Sequence, residues 1–299
     1  MTFKPADSPD RWYGLLAVAG LLLLGILVAT IVIGRPVDGI SFLLTLLTLF
    51  FLAAAVYVGY RTLGAFTLEY WVDRDAVTMI WGPSRQIVPM GAIQAIVVEP
   101  AGQPANAPKP WHWPVVNRRR MQCGGDLGLV NAYATRPLAE QLVLTTAEES
   151  FSLSPADSAG FVAALQARYA LGPARRLQTE IKHPPLWTWP LWRDRTALFL
   201  IGAGLAGVLL LFGMLCFRFP NLSSDLPLHF DVNGLPDRIS AKSGLFALPI
   251  IGLLTWGFNL VAGIVLYRQV QQGAAYLLWG GALVVEGIAG LALFNLMRW

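Results

Sequence analysis

Residues 226–243 read LPLHFDVNGLPDRISAKS, a polar stretch set between two apolar runs, 196–217 and 244–267. A bilayer core is crossed by about 20 apolar residues in a helix, so each flanking run is long enough to span one. The stretch between them is then pinned at a water interface. Outward from it, charge disappears, Glu286 excepted, from three further runs, 12–33, 40–60 and 274–297. Only 13% of the residues are charged and 55% are apolar, whereas a globular domain carries about 25% charge. The expected fold is a multi-pass α-helical membrane protein of about five spans, with a β-rich domain inserted between the second and third.

Residues 1–60 hold a polar leader, with Lys4 and Arg11, and a two-span hairpin. The run 12–33 exceeds the 7–15 apolar residues of a signal peptide, so it reads as a retained span. Gly34-Arg35-Pro36-Val37-Asp38-Gly39 supplies the turn. From 61 to 173 the pattern changes to short segments rich in β-formers, 66–72, 76–81, 85–88, 92–98, 127–135, 141–146 and 150–153. A Pro-rich insertion, 99–120, interrupts them and carries Trp111-His112-Trp113. One helix closes the domain. Ser154 suits its N-cap, Pro155 its first position and Asp157 a variant capping box. Phe161, Leu165 and Tyr169 form one apolar stripe, and Gly172-Pro173 ends it. In 174–195, Trp187, Trp189 and Trp192 read as an aromatic belt along the headgroups. The segment 196–299 then holds three spans with a connecting loop at 218–243. Gly202, Ala203, Ala206 and Gly207 in its first span suit close helix contact.

Two stretches carry resemblances. Tyr70-Trp71-Val72-Asp73-Arg74-Asp75, then Arg85-Gln86-Ile87-Val88-Pro89 with Ile93 and Ile96, then Leu153-Ser154-Pro155-Ala156-Asp157 with Phe161 and Leu165, resemble the bacterial pleckstrin-homology-like domains of membrane proteins. The likeness covers 61–172 and implies a small β fold closed by one C-terminal helix. Leu226-Pro227-Leu228-His229-Phe230-Asp231, with Gly234, Asp237 and Lys242, resembles a motif of an uncharacterised membrane domain also found in Sdp-type toxin-immunity proteins. That likeness covers 196–267 and implies an immunity or signalling membrane protein.

The net charge of +4 follows the positive-inside rule more simply than it signals an acidic partner. With a cytosolic N-terminus, 17 of the 22 Lys and Arg lie in the leader, in 61–195 and at Arg268. The other five are Arg35, Arg218, Arg238, Lys242 and Arg298. This predicts a plasma-membrane protein with 61–195 in the cytosol, and the loop 218–243 and the C-terminus outside.

Several groups are candidates for function. Asn233-Gly234 suits a turn with positive φ, which would gather His229, Asp231 and Asp237. A histidine with two carboxylates can hold a divalent metal or sense protons. The plainer reading has the aspartates capping turns and His229 bonding backbone. No H-E-x-x-H pattern occurs. We assign His229, Asp231, Asn233, Gly234, Asp237 and Lys242 to ligand or partner recognition. No catalytic residue, metal site or cofactor is assigned. Glu286 lies mid-span, where an acid costs on the order of 2.5–3.5 kcal/mol. A hydrogen bond to Asn259 is the ordinary expectation, and a proton or substrate relay the functional one. Arg118, Arg119 and Arg120 lack interleaved stacking aromatics, so anionic headgroups fit them better than nucleic acid. Cys123 and Cys216 have no paired spacing.

These residues together predict a non-enzymatic envelope protein for signalling, scaffolding or immunity-like protection. Its expected partners are the bilayer and a protein or peptide, with an oligomer allowed. The alternative is a membrane-embedded enzyme or transporter that converges His229, Asp231, Asp237 and Glu286 on one cavity.

Overall fold

The long runs before residue 61 become helices α1 (Asp10–Ile33) and α2 (Gly39–Phe66). Much of their apolar surface is open, with Leu23 68% and Val56 73% exposed. No watery surface tolerates that much contiguous hydrocarbon. The turn between them is built by a reciprocal cap. The Ser41 N–H donates to Asp38 Oδ1 at 2.6 Å, and the Asp38 N–H donates to Ser41 Oγ at 3.0 Å. The first of these bonds leads in holding the Asp38 carboxyl below its ordinary value.

A computed structural model describes residues 1–98, 119–122, 128–172, 180–182, 189–230 and 236–298. Among them, five helices are long and apolar enough to cross a membrane. The described residues divide into two compact units, Met1–Leu24 with Phe50–Trp187, and Gly25–Leu49 with Thr188–Trp299.

The first unit contains strands β1 (Thr2–Phe3), β2 (Glu69–Val72), β3 (Ala76–Trp81), β4 (Ser84–Pro89), β5 (Ala95–Val98), β6 (Arg119–Gln122), β7 (Leu129–Tyr133), β8 (Leu142–Thr145) and β9 (Ser150–Leu153). Helix α3 (Ser158–Leu171) and strand β10 (Glu180–Lys182) follow. One sheet runs β1-β2-β3-β4-β10 and the other β5-β8-β9-β7-β6, antiparallel except for the β7–β9 pair. Tyr70, Met79, Val88, Phe151, Leu153 and Phe161 fill a core that excludes solvent. Tyr70 crosses it. Its hydroxyl donates to the Tyr133 carbonyl at 2.6 Å and accepts the Ser154 N–H at 3.2 Å, and burial pushes its pKa up to about 12.

Three details depart from the sequence reading. Helix α3 starts at Ser158, capped by Asp157 through the Gly160 N–H at 2.8 Å, and Ser154 is not its cap. The reason lies in the leader. Ala6 N–H donates to the Ser154 carbonyl, and Pro5 bridges Pro155, so 154–155 are held extended. The leader is itself strand β1, pairing Phe3 with Tyr70, and its Phe3 ring meets Phe161 edge-on at 5.2 Å. The stretch 174–195, expected to be a linker, contributes β10 against β4.

The second unit holds α4 (Arg195–Arg218), a two-stranded hairpin of β11 (Asp225–Phe230) and β12 (Pro236–Ala241), α5 (Ala247–Arg268) and α6 (Gln272–Leu296). The sequence suggested a loop at 218–243, and twelve of its residues form the antiparallel pair β11–β12. Helices α5 and α6 run antiparallel, with Gly263 against the Trp279 indole.

Candidate functional site

The hairpin is seated from below. Leu226 on β11 and Leu245 just after β12 are each 1% exposed. They pack with Leu211 and Leu215 of α4 and Ala289 and Leu293 of α6. Lys242 fastens the seat: its ammonium donates to the Phe219 and Leu222 carbonyls, each at 3.2 Å, and lies 4.7 Å from the Phe219 ring centroid. These carbonyls follow the last turn of α4, where acceptors lack helical partners and a cation is favoured. Above the seat, Ile239 is 71% exposed.

Backbone pairing sets His229 opposite Arg238, with a register shift between Pro227 and His229. Asp237 lies beside Arg238 on β12. The side chains of His229 and Asp237 lie outside the described residues, as do Asp231, Asn233 and Gly234 entirely. Arg119 and Arg120 lie on β6 with their side chains undescribed, and Arg118 is outside the described residues. No cluster of three metal-ligating side chains occurs among the described residues.

Glu286 occupies a separate place. It is 4% exposed, and neither carboxyl oxygen has a hydrogen-bond partner. The expected bond to Asn259 is therefore not made. Helix register explains this: α6 carries Glu286 opposite Gly252 of α5, and Asn259 lies two turns further along, at about 1.5 Å per residue. Glu286 instead packs against the glycines of α4. A methyl group on Gly207 would collide with its Oε2, and one on Gly204 would stand 2.6 Å from Trp256 Cδ1 and 3.6 Å from Glu286 Oε1. Of the small residues singled out on sequence, Gly207 makes this contact and Gly202 faces open space. Gly204 was missed, although its three-residue spacing from Gly207 puts both on one helix face.

From Glu286 toward the hairpin, α6 next presents Ala289 and Leu293, and α4 presents Leu211 and Leu215, all packed together. The hairpin base at Leu226 is thus separated from the carboxyl by layers of hydrocarbon.

The opposite end of this unit is tied by a residue that sequence reasoning passed over. Asp194 caps α4 through the Ala197 N–H at 3.0 Å. It also accepts the Tyr267 hydroxyl of α5 at 3.0 Å and the Tyr276 hydroxyl of α6. The Tyr276 hydroxyl, then the Ala197 N–H, hold its carboxyl below the ordinary 3.8. Trp189 packs beside this clamp, with the Arg268 guanidinium 5.5 Å from its ring centroid.

Residues 206–253 match DUF1648, a domain of unknown function. The matched part runs from the middle of α4 through the hairpin to the first turns of α5. It includes Gly207, Leu226, Lys242 and Gly252, but not Glu286. No curated protein and no solved structure matches the chain.

Proposed function

We propose that this multi-pass membrane protein acts without catalysis, as a recognition protein of the cell envelope in signalling, scaffolding or immunity-like protection. The hairpin 225–241 is its recognition element. The observation that carries the reading is the hairpin's seat: an apolar base locked into the helix bundle, with Ile239 presented outward. Recognition favours such pre-organisation, because ordering a free loop on binding would cost affinity. A two-stranded hairpin alone is marginal in water, and here Leu226, Leu245 and Lys242 supply the missing support. The match to DUF1648 falls on this part of the chain, which also supports it.

Parity of spans gives the orientation. Two spans precede the β unit and three precede the hairpin, so the two lie on opposite sides of the membrane. The bias of Lys and Arg puts the β unit in the cytosol of a plasma membrane and the hairpin outside. In this reading the β unit is a pleckstrin-homology-like domain that contacts lipid or a protein partner. Two sheets closed by α3 support that assignment, by fold analogy alone. Arg118, Arg119 and Arg120 provide its contact with anionic headgroups. The rival enzyme or transporter needs His229, Asp231, Asp237 and Glu286 in one cavity, and the layers at Leu211 and Leu293 stand against it.

The test is cross-linking on intact cells followed by co-purification, comparing the wild type with His229→Ala and Ile239→Ser. Loss of one cross-linked partner in either variant, with membrane expression unchanged, is the expected result. Identical cross-linked species in all three proteins would remove the hairpin from recognition.

A further inference from the structure

We propose that the groove between α2 and α4 binds one acyl chain of an anionic phospholipid, with the lipid phosphate at Arg35. The groove encloses about 500 Å³ and lies wholly within the second unit. Its walls come from the start of α2, including Phe42, Leu46 and Leu49, and from α4, including Leu205, Leu209 and Phe212.

Chemistry selects hydrocarbon as the occupant. The hydroxyls that reach the wall are already used: Thr45 Oγ donates to the Ser41 carbonyl at 2.8 Å, and Ser41 Oγ to the Asp38 carbonyl at 2.8 Å. The lone charged side chain on the wall, Arg35, stands at the mouth beside the α1–α2 turn. A polar ligand would find no partner inside and would lose its hydration, an expensive exchange.

Length matches the groove to an acyl chain. Along α4 the wall runs from Leu205 to Cys216, about 16 Å at the helical rise. One leaflet of a bilayer core is about 15 Å deep, half of roughly 30 Å. A single extended acyl chain is thin enough, and its length is set by the leaflet it belongs to.

Charge selects the headgroup. Arg35 offers a planar fork of five donors suited to phosphate. Asp38 engages one of its nitrogens at 3.4 Å, while the other Asp38 oxygen is committed to the Ser41 N–H. The side chain stays partly exposed, and residue 35 lies between the ends of α1 and α2, where a span meets the headgroups.

The experiment is native mass spectrometry of the full chain, reconstituted in vesicles of equal dioleoyl phosphatidylglycerol and dioleoyl phosphatidylcholine, then released in detergent. Wild type is expected to retain one phospholipid per chain, enriched in phosphatidylglycerol. Arg35→Gln, whose side chain is 36% exposed in the native protein and outside the packing, should keep the lipid but lose about fivefold of that preference. Leu209→Trp should lose most of the retained lipid. Should that variant fail to fold, the Arg35→Gln arm decides alone. Lipid lost at the same detergent concentration from all three proteins marks ordinary annular lipid and overturns the proposal. So does a mass of two chains without lipid, or unchanged headgroup preference in Arg35→Gln.

Discussion

A carboxyl group with no partner in a helix bundle has a calculable cost. Both Glu286 oxygens are buried and unpaired, and leaving such a group unsatisfied costs on the order of 1–3 kcal/mol. Glu286→Met keeps the volume beside Gly204 and Gly207 and removes the polar atoms. Thermal unfolding in detergent should therefore show a gain of about that size, 1–3 kcal/mol, and a lower midpoint would mean the carboxyl has a partner after all. Asp194 makes the opposite case, an acid with every oxygen used. Its depressed folded-state pKa means that its contribution is present above the ordinary 3.8 and is lost as pH falls below it. Asp194→Asn should unfold at a lower temperature than wild type at neutral pH, and the gap should shrink as pH drops through 3.8 toward the folded value; a gap that widens on acidification contradicts the clamp. Sequence exposed the two acids unequally. Glu286 stands out because an acid amid hydrocarbon is conspicuous. Asp194 merely precedes an apolar run, and its tyrosines are 73 and 82 positions away.

At the scale of elements, the leader is a strand with a structural task. β1 covers the edge of β2, and Phe3 rests on Phe161. Phe3→Ala should lower stability by about 1–3 kcal/mol, less than full removal of a core aromatic because Phe3 is only half-buried. Proteolysis of the first unit under native conditions would report it, and unchanged cleavage would show that the leader only decorates the sheet. The seven β segments read from composition correspond to β2, β3, β4, β5, β7, β8 and β9, because alternation and Gly, Pro or Asp turns mark them locally. β1, β6 and β10 escaped that reading. β1 and β10 are two and three residues long, too short for any period, and exist because a distant strand offers an edge, while β6 begins inside the Pro-rich insertion 99–120. The hairpin escaped for a related reason. Pro227, Pro236 and clustered charges read as loop, while Leu226 gains its buried place from α4 and α6 across the sequence.

For the whole molecule, five apolar helices were legible from the scarcity of charge alone, since the bilayer sets their length and hydropathy without reference to neighbours. What those helices build between them was not legible. The glycine face receiving Glu286, the Asp194 clamp and the groove beside Arg35 all depend on register between helices, which a single sequence does not print. The central claim is that the hairpin is displayed outside the cell while the β unit stays in the cytosol. It is tested most directly by single cysteines at Ser223, just before β11, and at Glu148, between β8 and β9, both exposed. These are placed in a chain whose Cys123 and Cys216 are serine, and treated with a membrane-impermeant maleimide. Ser223→Cys should label on intact cells, and Glu148→Cys only after permeabilisation. Labelling of both from the same side, or of Glu148→Cys alone from outside, would contradict it.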